Sequence, residues 1–491
     1  MKGKDIENEK RGCFMFKRIL AMMMCACFLV GAAACNSKDA AGNNVAGNNA
    51  TGSDVAGNDT GDAGVSDVVE NKEETMLSEK QEEPEVPTIS PEVSVVETPP
   101  AAMQLLKTVN LMEHVEPMGV DLDDLLPDCP VLKFGLPLFQ SVLKEAESGE
   151  NVLVSPLSAI TALQMASIGA NGKTKDQMNK VLGTDPLSSY MMYYAKNLPK
   201  GDGYKVNLAN GIWFKNVESL HVQESFLKWN KQFYDAAAYA APFNEDTLNE
   251  INTWVSDNTD GMIPGILEEI KEEDVMYLVN ALSFDAEWKN IYYESDIWKD
   301  IFTTESGEEQ LVPMMHSKES IYLEDDFATG VMKYYKDEKY AFVALLPKEG
   351  ITLADYVEGL TAEQLKTLLK NPVYGPVETT LPKFSVGYDM KLNDILCSMG
   401  MPDAFSVGDA DFSNMAVSDV GNIYINDVFQ KTFIAVDERG TKAGAATAVA
   451  MANKALALNQ KVVNLNRPFV YMIIECEYNE PLFFGAVMQV E

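Results

Sequence analysis

Residues 437–448, Asp437-Glu438-Arg439-Gly440-Thr441-Lys442-Ala443-Gly444-Ala445-Ala446-Thr447-Ala448, open a small, charge-poor stretch that runs on to Asn466-Arg467-Pro468-Phe469. So long a run with so little to bury constrains any fold that keeps it. Taken at period two from Thr441, one face carries Thr441, Ala443, Ala445, Thr447, Val449 and Met451, and the other Lys442, Gly444, Ala446, Ala448 and Ala450. The first face is uncharged and the lone Lys442 lies on the second. A strand that slides into a sheet over a packed core has this pattern, small residues inward and charge outward. An exposed Ala-rich helix also fits, because alanine is the best helix former. The run alone leaves both open.

Composition narrows the class. With 491 residues, 46% of them hydrophobic, the chain can bury a large core. A formal charge of −35 excludes nucleic acid as a partner, since phosphates need lysine and arginine to neutralise them. The N-terminus has the features of an export signal. Lys17-Arg18 precede the apolar stretch Ile19–Val30, and Gly31-Ala32-Ala33-Ala34 lead to Cys35, with Met15 as a candidate initiator. This arrangement is similar to a bacterial lipoprotein signal (residues 1–35) in which Cys35 is lipidated; a plain secretory signal cut nearby is the alternative. Either way the protein is expected to be exported, facing outward from the envelope, and to meet the membrane only through that lipid.

Residues 36–100 are rich in Ala, Gly, Asn and Asp, then Glu and Pro. They cannot bury enough surface to offset the entropy of ordering, and read as an acidic tether. At about 5–6 Å × √n such a tether reaches roughly 40–50 Å. Residues 101–130 are transitional, with a short helix or docking segment suggested by Leu105-Leu106 and Asp121–Leu126. Of seven cysteines, Cys13, Cys25 and Cys27 go with the signal. Cys129, Cys397 and Cys476 remain in the body of the chain, an odd number that implies no disulfide framework.

Catalytic motifs are missing. The three histidines, His114, His221 and His316, form no H-E-x-x-H site, and no G-x-S-x-G elbow occurs. Gly172-Lys173-Thr174 lacks the earlier glycine of a phosphate loop, Ser167 standing in its place, and reads as a turn into a helix over 175–182. No enzyme, metal or cofactor is expected.

Several segments recur in a familiar order and spacing: Asn151-Val152-Leu153-Val154-Ser155-Pro156-Leu157-Ser158, Asn252-Thr253-Trp254-Val255, Leu278-Val279-Asn280-Ala281-Leu282-Ser283-Phe284 with Trp288, Leu381-Pro382-Lys383-Phe384, Ala410-Asp411-Phe412-Ser413, Asn466-Arg467-Pro468-Phe469 and Phe483-Phe484-Gly485-Ala486-Val487. Together with the small-residue run they resemble the serpins, a family of serine protease inhibitors, over residues 131–491. The resemblance implies a mixed α/β fold of three β-sheets and about nine helices, with an exposed reactive-centre loop at about 438–466. Periodicity agrees, since 427–436 alternates as a half-buried strand and 361–370 reads as a helix.

The resemblance also implies roles. Ser155, Ser158, Asn280 and Gln430 match the polar cluster under the place where the main sheet parts, with Gln430 where a histidine is common. Trp288 matches the aromatic at the mouth of the opening. Glu438, Gly440, Thr441, Ala443, Ala445 and Thr447 match the loop hinge; the family's usual basic partner of Glu438 falls at position 311, where Leu311 stands, so that salt bridge is not expected from there. The target is a serine protease, and the inhibitor is expected to be a monomer. Fourteen residues beyond the hinge glycine, the family spacing puts the reactive bond at Lys454–Ala455, which suits trypsin-like proteases. A shifted register would instead expose Met451, Ala452 or Leu456, suiting elastase-like or chymotrypsin-like enzymes or a cysteine protease; a non-inhibitory serpin acting as a binding module is the other alternative.

Overall fold

Ser155 and Pro156 begin a helix for reasons visible in the sequence. In the computed structural model Ser155 is the N-cap, its hydroxyl accepting the Ser158 N–H at 3.3 Å, and Pro156 occupies the first turn, where no N–H is needed. The structure describes residues 107–115, 130–183, 194, 197–271, 274–419, 421–441 and 461–490. All lie in the second of the chain's two units, Val96–Glu491. The signal, the tether, Cys35, Cys129 and the loop residues 442–460 lie outside the described residues.

Eight α-helices are described: α1 (Val131–Glu145), α2 (Pro156–Gly169), α3 (Gly172–Leu182), α4 (Glu224–Tyr234), α5 (Glu245–Asn258), α6 (Leu353–Gly359), α7 (Ala362–Lys370) and α8 (Asn393–Met399). Helix α2 is buried all round and has no polar stripe. Helix α3 starts three residues earlier than its sequence suggests, because Gly172 is already its first residue rather than part of a turn. Thr361 caps α7 in a reciprocal capping box with Gln364.

The strands form three sheets among the described residues. The main sheet has seven, in the order β1 (Val109–Asn110), β5 (Ala237–Ala241), β3 (Tyr204–Lys215), β6 (Met276–Glu287), β15 (Gly440–Thr441), β14 (Phe429–Val436) and β12 (Phe384–Lys391). The second has nine: β16 (Lys461–Asn464), β11 (Val373–Pro382), β8 (Glu309–Glu324), β9 (Ala328–Tyr334), β10 (Tyr340–Pro347), β17 (Phe469–Glu475), β18 (Glu480–Val487) and β2 (Val152–Val154), with β7 (Ile297–Thr303) also on β8. A small third pairs β13 (Ala416–Ser418) with β4 (Leu220–Val222). Strands β10, β17 and β18 are buried at every residue, so they read as continuous apolar runs instead of alternating ones. In β14 alternation survives, with Gln430, Thr432, Ile434 and Val436 pointing inward; the strand starts at Phe429, two residues later than its pattern suggests.

Within the transitional segment a two-residue strand is described, while Leu105-Leu106 and Asp121–Leu126 lie outside the described residues. Val109 and Asn110 pair with Ala240 and Tyr239 on the edge of the main sheet, and Met112 and Val115 are buried. The Lys231 ammonium on α4 donates to the Met112 carbonyl at 2.9 Å.

Candidate functional site

Asp437 makes the turn that starts the hinge. Its carboxylate accepts the N–H groups of Arg439 at 2.8 Å and Gly440 at 3.1 Å, folding the chain back from β14 into β15. Strand β15 then lies between two neighbours: Thr441 pairs with Val436 of β14 and Ala286 of β6, and Gly440 pairs with Glu287. A Cβ on Gly440 would sit 1.9 Å from the Ala286 carbonyl oxygen, so glycine is required here by close backbone approach. Thr441 is fully buried and its hydroxyl bonds that of Tyr335. This is the inward orientation the period-two pattern gives it.

Trp288 closes the mouth of the opening. Its backbone N–H donates to the Arg439 carbonyl at 2.7 Å and its indole N–H to the Asp437 carbonyl at 2.8 Å. The ring stacks on Tyr335 at 4.5 Å and 11°. Below the aromatics lies Lys333, 4.5 Å from the Tyr292 ring centre and 2.6 Å from Glu319 in a buried pair. Burial pulls the Lys333 ammonium below its ordinary range, and Glu319 opposes that pull. Arg439 adds a second tie, its guanidinium 2.7 Å from Glu287.

Glu438 finds its cation elsewhere than at position 311. Leu311 is largely exposed on β8, opposite Ile301. The cation is Lys383, 2.5 Å from the Glu438 carboxylate. Pairing of Phe384 with Val436 brings the residue before β12 alongside the residues after β14. Burial acts to raise the Glu438 pKa, but the Lys383 hydrogen bond and charge, a backbone bond and Arg439 together hold it below its usual range. A depressed carboxylate contributes stability that is present above its unfolded pKa and is lost as pH falls through the folded one. Glu438→Gln is therefore expected to be slightly less stable than wild type at pH 7, and to lose less between pH 5 and pH 3. Thermal melts of both across that window test it; parallel curves would remove Glu438 from the acid response. The effect is small because the pair is about one-third exposed.

The polar cluster has two branches that share one helix. On the β14 side, the Gln430 carbonyl oxygen accepts the Ser155 N–H at 3.0 Å while its amide donates to the Ser155 carbonyl at 2.9 Å. Gln430 thus supplies the donor and acceptor that suit this place. On the β6 side, the Ser158 hydroxyl donates to Asn280, whose amide donates to Asn210 on β3, whose amide donates to the Tyr234 carbonyl at 2.8 Å. The branches meet at the Ser155–Ser158 cap of α2. Sequence reasoning missed Asn210; an asparagine inside a strand, directly opposite Asn280, is the signal that could have found it. Among the described residues no ladder joins β6 to β14 below β15. A cavity of about 30 Å³ lies there, lined by Ser158 and Leu163 of α2, Leu278 and Asn280 of β6, and Phe429 and Gln430 of β14. The remaining site residues, Ala443, Ala445, Thr447, Met451, Ala452, Lys454, Ala455 and Leu456, lie outside the described residues.

The main sheet thus has a seam between β6 and β14, with Gly440 and Thr441 seated in its mouth. Comparison with known proteins gives the family. The family model Serpin (serine protease inhibitor) matches residues 131–490. An uncharacterised serpin-like protein of Thermococcus kodakarensis is 35% identical over 356 residues, covering 70% of this chain and 82% of that protein. The leukocyte elastase inhibitor of Xenopus tropicalis is 31% identical over 371 residues, covering 72% and 96%. The crystal structure of the thermophilic serpin tengpin in its native state is 40% identical, with a TM-score of 0.74, covering 78% of this chain and all of that one. The chain belongs to the serpin family, whose members generally inhibit proteases and are not enzymes.

Proposed function

We propose that this serpin inhibits a serine protease as a suicide substrate, offering the Lys454–Ala455 bond and inserting the cut loop between β6 and β14. The observation that carries the reading is the seam: Gly440 and Thr441 pair with both strands at its mouth, and no ladder among the described residues closes it below. The protease serine attacks the Lys454 carbonyl, the amide breaks, the amine leaves on Ala455, and an acyl ester holds the protease. The freed loop then adds as a strand, making a full row of backbone hydrogen bonds. At about 0.5–1.5 kcal/mol net for each bond, a dozen residues supply ample driving force. Dragged along, the protease loses the geometry deacylation needs.

Lysine at the cut bond favours trypsin-like targets, whose pocket holds a buried carboxylate. A second reading, elastase-like or chymotrypsin-like inhibition at Met451, Ala452 or Leu456, draws on the likeness to the leukocyte elastase inhibitor. In either reading the chain is exported and held to the envelope by a lipid on Cys35, with residues 36–100 as its tether. Incubation with trypsin-like and elastase-like proteases, followed by denaturing gels, is expected to give a stable covalent complex with the first class. If neither class forms one, the result counts against inhibition and favours a non-inhibitory binding module.

A further inference from the structure

We infer that Lys271, Asp274, Asn426 and Asp427 form a clasp across the lower end of the seam, and that opening it limits the last stage of loop insertion. The inference rests on the inhibitory reading above. At the mouth, β15 keeps β6 and β14 two strand spacings apart, roughly 9.5 Å. At the lower end the two sides converge. The Asn426 amide donates to the Asp274 carboxylate at 2.5 Å, and the Lys271 ammonium lies 3.8 Å from Asp427. Lys271 and Asp274 lead into β6, whereas Asn426 and Asp427 lead into β14, so both contacts cross the seam.

Each half is braced from its own side. Asp274 also accepts the Lys271 N–H at 3.0 Å and the Tyr277 hydroxyl. Asp427 is paired with Lys391 at the end of β12, and the Asn393 amide holds the Asn426 carbonyl at 2.6 Å. Asp274 is 4% exposed and the Asp427 side chain 7%. Both carboxylates are buried and pre-positioned, so the Asn426–Asp274 bond counts for more than that of a surface pair, while Lys271, partly exposed, makes the weaker tie.

The register of β15 says when an inserting strand would meet them. Twelve residues below Ala286 on the β6 side is Asp274, and twelve beyond Thr441 is Asn453. Ten residues below Val436 on the β14 side is Asn426, and ten beyond Thr441 is Met451. A strand continuing this antiparallel register reaches the clasp with residues 451–453, immediately before the proposed reactive bond. With β6 and β14 parted to two spacings there as well, asparagine and aspartate side chains no longer span the gap. The clasp is thus a bond of the native state that the inserted state lacks. Insertion runs freely until its final stage, where delay gives the protease time to deacylate.

Asn426→Ala and Lys271→Ala remove the two cross-seam contacts and leave the reactive loop untouched. Lys391→Ala, which breaks only the same-side pair, is the control for a merely structural role. Each variant is melted intact and after limited cutting of the loop by a broad-specificity protease, and the number of inhibitors cleaved per protease trapped is measured. Asn426→Ala is expected to lower the melting temperature of the intact form by about 2 °C and Lys271→Ala by about 1 °C or less, both leaving the cut form unchanged and trapping with fewer molecules wasted. Lys391→Ala is expected to shift both forms together. If the cross-seam variants shift both forms equally, or waste as many molecules as wild type, the clasp does not govern insertion. If wild type itself gains no thermal stability when its loop is cut, the inhibitory reading fails and the clasp falls with it. Lys271 is about two-fifths exposed, so its variant provides a readout even where Asn426→Ala folds poorly.

Discussion

Thr441→Arg is expected to turn this serpin from an inhibitor into a substrate. Thr441 is fully buried between β6 and β14, with its hydroxyl on Tyr335. No acidic side chain is paired with it there to receive a guanidinium. Forcing an unpaired charge into that place costs several kcal/mol. Even 3 kcal/mol added to the barrier slows insertion about 100-fold, enough for deacylation to win. The variant should be cut at the same bond as wild type, release active protease and leave little covalent complex on a denaturing gel. Because Arg439 and the Asp437 turn are untouched, the bait itself stays available for cleavage. Wild-type trapping by Thr441→Arg would show that the hinge does not travel with this face inward.

The second large effect is expected of Lys454→Ala. Removing the charge that a trypsin-like pocket is built to bind leaves that pocket's carboxylate unpaired, a loss of about 2–5 kcal/mol. Association with trypsin-like proteases should therefore slow by at least about 30-fold, with the melting temperature and its rise on loop cutting unchanged. Unaltered inhibition would move the reactive bond to Met451, Ala452 or Leu456, which sequencing the N-terminus of the released fragment would identify.

The two variants separate speed from choice. In the proposed mechanism Thr441 sets whether the loop inserts quickly enough, and Lys454 sets which enzyme cuts it. The period-two pattern from Thr441 made the first role legible, because an uncharged inward face needs no knowledge of the fold. Of that run the described residues include only Gly440 and Thr441, which form a strand between two neighbours.

Local signals carried most of what was legible. Ser155-Pro156, the Thr361 capping box and the alternation of β14 each depend on residues a few positions apart. What stayed hidden depends on pairing across the chain. Lys383 and Glu438 are 55 positions apart and meet because Phe384 pairs with Val436. Asn210 and Asn280 face each other only once β3 and β6 are in register. The need for glycine at 440 reads in sequence as freedom to bend, whereas the Ala286 carbonyl makes it a matter of space. The Asp274–Asn426 contact had no signal, since an acidic and an amide residue far apart in an acidic chain read as solvated surface.

A crystal structure of the chain after its loop has been cut tests the central claim most directly. The account predicts a new strand between β6 and β14, running on from Thr441 with residues 442–453 paired antiparallel to residues 285–274, and the Asp274–Asn426 contact broken. A cut chain in which β6 and β14 still converge below Thr441, with the severed loop outside the sheet, would contradict it.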